Sequence, residues 1–189
     1  GSATVAFTTV ESLTIDGQGG TDNLTHATPA GGHRNTFTPG TSPDSGTIRS
    51  SGFGAGTQSV PLTFAHIGAF GMVTIAGAGA GTDIFEVNGT NNIDNFNLTG
   101  TSVEILNSTG GFTTNLINTP GAFAIELRGL DSDDTFNVTG SLAAYTGGVV
   151  VDGGNPSASD VLNLSGSTAA VVVNFGSSTI TGYGATVTM

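Results

Sequence analysis

The sequence predicts an all-β protein: a β-solenoid of the parallel β-helix or β-roll kind, with an antiparallel β-sandwich as the alternative architecture. Three observations predict it. Gly and Thr supply 31 and 30 of the 189 residues; neither suits a helix interior, whereas Thr, Val, Ile and Phe suit a pleated surface. Apolar and polar residues alternate in short runs, the period-two mark of a strand with one buried face. These runs recur and end on glycines, where a positive φ carries little steric penalty.

The first run is Leu13-Thr-Ile15-Asp-Gly17. A Gly-rich turn follows, and then a broken cassette from Asp22 with Leu24, in which His26 stands where a second apolar residue belongs. Residues 26–64 hold Pro29, Pro39, Pro43 and Pro61 and read as an irregular excursion, with short strands at Thr36–Thr38 and Thr47–Arg49. The strand-then-glycine element returns as Val73-Thr-Ile75-Ala-Gly77, Ile125-Glu-Leu127-Arg-Gly129 and Val149-Val-Val151-Asp-Gly153.

The cassette itself is Asp-x-[Phe/Leu]-x-[Val/Leu]-x-Gly. It reads Asp83-Ile-Phe85-Glu-Val87-Asn-Gly89, Asp94-Asn-Phe96-Asn-Leu98-Thr-Gly100, Asp134-Thr-Phe136-Asn-Val138-Thr-Gly140 and Asp160-Val-Leu162-Asn-Leu164-Ser-Gly166. If the cassettes are equivalent, Phe85, Phe96, Phe136 and Leu162 point inward. Glu86, Asn97, Asn137 and Asn163 then face out, and the three Asn are placed for a hydrogen-bonded ladder. One domain over 3–189 is expected. Ala3-Thr-Val5-Ala-Phe7 resembles Ala185-Thr-Val187-Thr-Met189, which reads as one unit of a tandem array.

Charge excludes several functions. Three Arg and no Lys stand against 14 acids, a net charge of −11. Nucleic-acid binding needs a basic footprint, which is missing. An anionic membrane surface is disfavoured, and no apolar run approaches the ~20 residues of a membrane span. With no Cys there is neither a disulfide nor a thiolate metal site. His26, His33 and His66 match no zinc spacing. There is no nucleophile elbow of the Gly-x-Ser-x-Gly type. Trp is absent, which leaves a carbohydrate-cleaving groove without its usual aromatic platforms.

The acids are the concentrated chemistry. Asp131, Asp133 and Asp134 follow Gly129; Asp152 and Asp160 flank Gly153-Gly154-Asn155-Pro156; Asp22 follows Gly19-Gly20. Hard oxygens on glycine turns suit Ca²⁺, which takes about 6–8 of them. The competing reading of each Asp is a turn cap bonded to nearby backbone N–H groups.

Gly17-Gln-Gly19-Gly20-Thr-Asp22-Asn-Leu24-Thr resembles the nonapeptide of RTX (hemolysin-type) repeats, and Gly79-Ala-Gly81-Thr-Asp83-Ile-Phe85 resembles it more loosely. The resemblance implies a parallel β-roll with Ca²⁺ held between Gly/Asp turns. It also implies secretion to the medium or to a bacterial cell surface. The expected role is a noncatalytic, extracellular structural or adhesive module, rigidified by Ca²⁺ at Asp22, Asp131, Asp133, Asp134, Asp152 and Asp160. Its expected partners are neighbouring units, further copies of itself or a surface glycan. The alternatives are a carbohydrate- or ice-binding module and a polysaccharide-active enzyme using Asp131, Asp133 and Asp134.

Overall fold

A computed structural model describes residues 5–6, 8–53, 58–77, 82–107, 112–113, 117–155 and 159–189. Ala3, Thr4 and Phe7 of the terminal sequence match, and Gly79 and Gly81 of the looser nonapeptide, lie outside the described residues. The described residues form an all-β structure with no helix and therefore no helix long and apolar enough to cross a membrane.

The described residues form eighteen strands divided between two sheets. They are β1 (Leu13–Asp16), β2 (Asn23–Ala27), β3 (His33–Pro39), β4 (Gly46–Gly52), β5 (Leu62–Ala65), β6 (Met72–Ala76), β7 (Ile84–Asn88), β8 (Asp94–Leu98) and β9 (Ser102–Asn107). Then come β10 (Phe112–Thr113), β11 (Ile117–Asn118), β12 (Ala124–Arg128), β13 (Thr135–Thr139), β14 (Gly148–Asp152), β15 (Val161–Ser165), β16 (Val172–Asn174), β17 (Thr179–Thr181) and β18 (Val187–Thr188). The first sheet runs β1-β5-β4-β3-β7-β12-β14-β18-β17-β16, and the second runs β15-β13-β8-β9-β11-β6-β2 with β10 beside β9.

Both sheets are mixed, so neither is the wholly antiparallel sheet of the alternative architecture. Parallel ladders β7–β12–β14 and β8–β13–β15 dominate the C-terminal half. The first sheet also holds two antiparallel meanders, β3–β4–β5 and β16–β17–β18, and the second holds one, β8–β9–β11. The short strands expected at Thr36–Thr38 and Thr47–Arg49 lie within β3 and β4, which, with β5, make the described part of residues 26–64 more regular than the excursion expected there. His33-Arg-Asn-Thr-Phe-Thr alternates buried and outward positions, and Phe37 pairs with Ile48 across a hairpin of two seven-residue strands. The prolines sit at or beyond the strand ends, where a missing N–H is tolerated.

Inward positions align across strands into columns. In the first sheet one column is Leu13, Leu62, Ile48, Phe37, Val87, Leu127 and Val151. In the second it is Leu24, Val73, Ile117, Val103, Leu98, Val138 and Leu164. Both belong to one apolar cluster, with only the end members partly exposed. Phe96, Phe136 and Leu162 share a column, and the Phe96 and Phe136 rings stack with centroids 4.7 Å apart. Phe85 departs from the expected equivalence. It is fully buried, but β7 lies in the other sheet, where it pairs with Asn35 and Ile125.

Candidate functional site

The corners between sheets are built from Gly/Asp pairs. Gly17, Gly77, Gly89, Gly129 and Gly153 each directly follow the last residue of a strand, and the next strand is preceded or opened by Asp22, Asp83, Asp94, Asp134 or Asp160. In every pair the Asp Oδ2 occupies the space a Cβ on the glycine would take, at 2.9 Å for Gly17, 2.8 Å for Gly77 and 2.7 Å for Gly89, and closer for the other two. Where the corner resembles the RTX nonapeptide, Gln18, Gly19 and Gly20 all take positive φ, and Gln18 N–H donates to Asp16 Oδ1 at 2.9 Å.

The Oδ1 atoms reach across to the neighbouring strand. Asp94 N–H donates to Asp134 Oδ1 at 2.8 Å, Asp134 N–H to Asp160 Oδ1 at 2.9 Å, and His33 N–H to Asp83 Oδ1 at 2.9 Å. Asp94, Asp134 and Asp160 thus form a linked column along one corner. Asp94 and Asp134 are buried, and Asp94 Oδ1 and Asp134 Oδ2 have no hydrogen-bond partner among the described residues. Burial pushes the Asp134 carboxyl up to about 7; the Asp94 N–H opposes that shift, and the charges of Asp94, Asp160 and Asp133 add to it. Burial also raises Asp94, against the two hydrogen bonds it accepts from Thr90.

The six candidate calcium ligands are placed differently from one another. Asp134 and Asp160 meet directly. Asp133 accepts the Ser159 hydroxyl at 2.5 Å. Asp131 is exposed at a parallel bridge to Asn155. Asp152 is exposed at the end of β14, 3.6 Å from Arg128 Nη1. Asp22 is exposed and fills the Gly17 space. Among the described residues no group of three or more His, Asp or Glu is placed to hold a metal ion. Asp83, Asp134 and Asp160 each use Oδ1 to accept a backbone N–H group of a neighbouring strand, and no three carboxylates converge among the described residues toward the oxygen-rich shell Ca²⁺ takes.

On the outer face of the first sheet, four charged side chains cross-link three strands. Arg34 of β3 donates to Glu86 of β7 at 2.8 Å and to Glu126 of β12 at 2.6 and 3.0 Å. Arg128 lies 3.1 Å from Glu86 and 3.3 Å from Glu126. The Arg34 guanidinium holds Glu126 below the usual carboxylate range. The sequence carried one signal for this: Glu86 occupies the outward cassette position that is Asn in the other three copies. Those three do form a ladder, with Asn137 Nδ2 donating to Asn97 Oδ1 at 3.2 Å and Asn163 Nδ2 to Asn137 Oδ1 at 3.0 Å.

A second polar cluster was not foreseen from sequence. Ser50 donates to Asn35 Oδ1 at 2.5 Å, and its hydroxyl lies 2.6 Å from His26 Nε2. Burial lowers the His26 pKa, favouring the neutral ring. Outside Ser50, a cleft of about 220 Å³ opens between Thr36, Arg49, Ser51, Gln58, Ser59 and Pro61. His26, Asn35 and Ser50 are far apart along the chain, and no local motif joins them.

No protein-family model, curated protein or solved structure matches this chain.

Proposed function

We propose that the chain is a noncatalytic module of a secreted or cell-surface bacterial protein, with a structural or adhesive role. In this reading its strands are rungs of a two-sheeted β-solenoid interrupted by three antiparallel meanders. The observation that carries the reading is the pair of seven-member apolar columns, in which residues from seven strands stack in register. Stability here comes from repeated lateral ladders rather than from cross-links, which suits a load-bearing or display element. The resemblance of residues 17–25 to the RTX nonapeptide supports export, and the carboxylate-to-backbone corners supply the rigidity first expected from Ca²⁺.

The sheets end at β1 and β2 on one side and, in the second sheet, at β15 on the other. Such edges favour pairing with a neighbouring unit or another copy. The carbohydrate-binding alternative is favoured by the Arg49 cleft. For ice binding, register aligns Thr14, Thr63, Thr47 and Thr38, a single rank one residue wide.

Single-molecule pulling between the termini tests the module reading. One cooperative rupture of the whole stack is expected. Peeling of separate strands at low force would overturn it, as would polysaccharide turnover that disappears in Asp134→Asn.

A further inference from the structure

We propose that the cleft at Arg49 binds a single carboxylated sugar residue of the uronic-acid class. This deepens the adhesive side of the module reading and rests on it only for display of the site on an outer surface.

The cleft exists because of a bulge. Ile48 of β4 pairs with Leu62 of β5, and three residues later Ser51 bridges Gln58, four residues back on the partner strand. One extra residue on the 58–62 side leaves the ladder unclosed. Pro61, which has no N–H, sits in that gap, while Ser59 N–H donates to Ser50 O at 2.9 Å and anchors its far side.

Arg49 is the cation this opening presents. Among the described residues Arg34 and Arg128 are bound to Glu86, Glu126 and Asp152, whereas no carboxylate pairs with Arg49. It faces Thr36 across the hairpin, and the next side chain in that row, Glu86, is already held by the other two guanidiniums. In a chain of net charge −11, the lining of this cleft holds a guanidinium and no carboxylate. Behind Ser50, the fully buried Asn35 carries an amide Nδ2 with no acceptor among the described residues.

These groups define the ligand. A planar carboxylate matches the guanidinium fork. The Ser51 hydroxyl and the Gln58 amide can both donate and accept, as ring hydroxyls require. The Thr36 and Ser59 hydroxyls, which donate to Glu86 Oε1 at 3.4 Å and Ser50 O at 3.3 Å, offer lone pairs as acceptors. The volume of about 220 Å³ lies below the roughly 300–1,000 Å³ of sites for drug-sized molecules and suits one small ring. The negative field of the protein penalises each added ligand charge, which favours a monoanion over sulfate or phosphate.

Titration of the ¹⁵N-labelled protein with D-galacturonate, D-galactose and sodium sulfate, read by amide shifts, tests the site. Galacturonate is expected to move Arg49, Ser51, Gln58 and Ser59 at millimolar concentration, with galactose and sulfate leaving them in place. Arg49→Ala is expected to weaken binding at least about tenfold with an unchanged melt, and Arg49→Lys to fall between, because it keeps the charge without the fork. Should Arg49→Ala fail to fold, Gln58→Ala serves as the second variant and is expected to weaken binding too. An equal response to galactose or sulfate, an undiminished response in Arg49→Ala (or in Gln58→Ala where that variant serves), or no response from the wild type overturns the proposal. A silent cleft removes this site alone; the module reading stands or falls on the pulling experiment.

Discussion

The carboxylate of Asp134 stands in the space that a side chain on Gly129 would need, and the Gly153 carbonyl closes the same space from the neighbouring strand. The glycine is therefore required by its surroundings, even though its φ is not in the left-handed region. Gly129→Ala is expected to destabilise the fold by about 3 kcal/mol, because backbone cannot retreat as a flexible side chain can. Gly140 has φ 79° and open space around it, so Gly140→Ala is expected to cost only about 1 kcal/mol. Urea unfolding of both variants checks this, and equal losses would refute the packing account.

Asp134 also predicts how stability depends on pH. Its carboxyl titrates at about 7 in the fold and at 3.8 when unperturbed. Across that interval the folded chain holds a proton that the unfolded chain releases, so stability falls as pH rises from about 4 to 7. Glu126, Asp44 and Asp16 act oppositely. Arg34, the Ser42 hydroxyl and the Gln18 N–H respectively hold them low, so their contributions are lost as pH drops below the ordinary carboxylate range. A stability maximum near pH 5 is expected in denaturant titrations. Asp134→Asn keeps an acceptor for Asp94 N–H and should flatten the upper limb, gaining about 1–2 kcal/mol at pH 8. A variant that loses stability there would show that the charged form is the favoured one.

Phe136 and Asn137 separate core from surface within one strand. Phe136 is buried against Phe96, and Phe136→Ala is expected to cost about 3–5 kcal/mol. Asn137 lies in the exposed ladder, and Asn137→Ala is expected to cost less than about 1 kcal/mol. Comparable losses would mean that the amide ladder shares equally in holding the sheet.

The outer charge cluster is partly solvated. Glu126→Gln removes the fork from Arg34 and is expected to cost about 1 kcal/mol at low ionic strength. The loss should shrink in about 1 M salt, where exposed charges are screened within roughly 3 Å. A salt-independent loss would point to packing of the side chain instead.

Calcium is expected to leave thermal stability unchanged. The buried corner carboxylates already accept backbone N–H groups, and the exposed ones are scattered. Melting curves in EDTA and in millimolar CaCl₂ should coincide; a clear rise with Ca²⁺ would restore the calcium reading.

Much of this was readable in the chain. Alternation identifies which residues point inward, and spacing made Phe96, Phe136 and Leu162 equivalent, with Asn97, Asn137 and Asn163 outside. Periodicity is blind to which sheet receives a strand, so spacing alone groups Phe85 with Phe96, Phe136 and Leu162; the distinguishing residue is Glu86, which pairs with Arg34 and Arg128 of the first sheet. The strands at Thr36–Thr38 and Thr47–Arg49 are legible, but their full length and pairing across 33–52 are obscured by Pro39 and Pro43, which fall at the end of β3 and in the turn. Ser50, His26 and Asn35 meet only through tertiary pairing, and such contacts leave no local trace. The Arg49 opening arises from a single surplus residue between Leu62 and Gln58, which becomes visible only when both strands are aligned.

The meanders bear on how the molecule is made. β3 settles beside β7, and β8 beside β13, so each waits for a segment synthesised well after it. The neighbour of β1 does not emerge until residue 62. A nascent chain leaving the ribosome therefore cannot complete its N-terminal layers in order. It must keep early hairpins unpartnered on one side until distant sequence arrives, which raises contact order and predicts slow, aggregation-sensitive assembly.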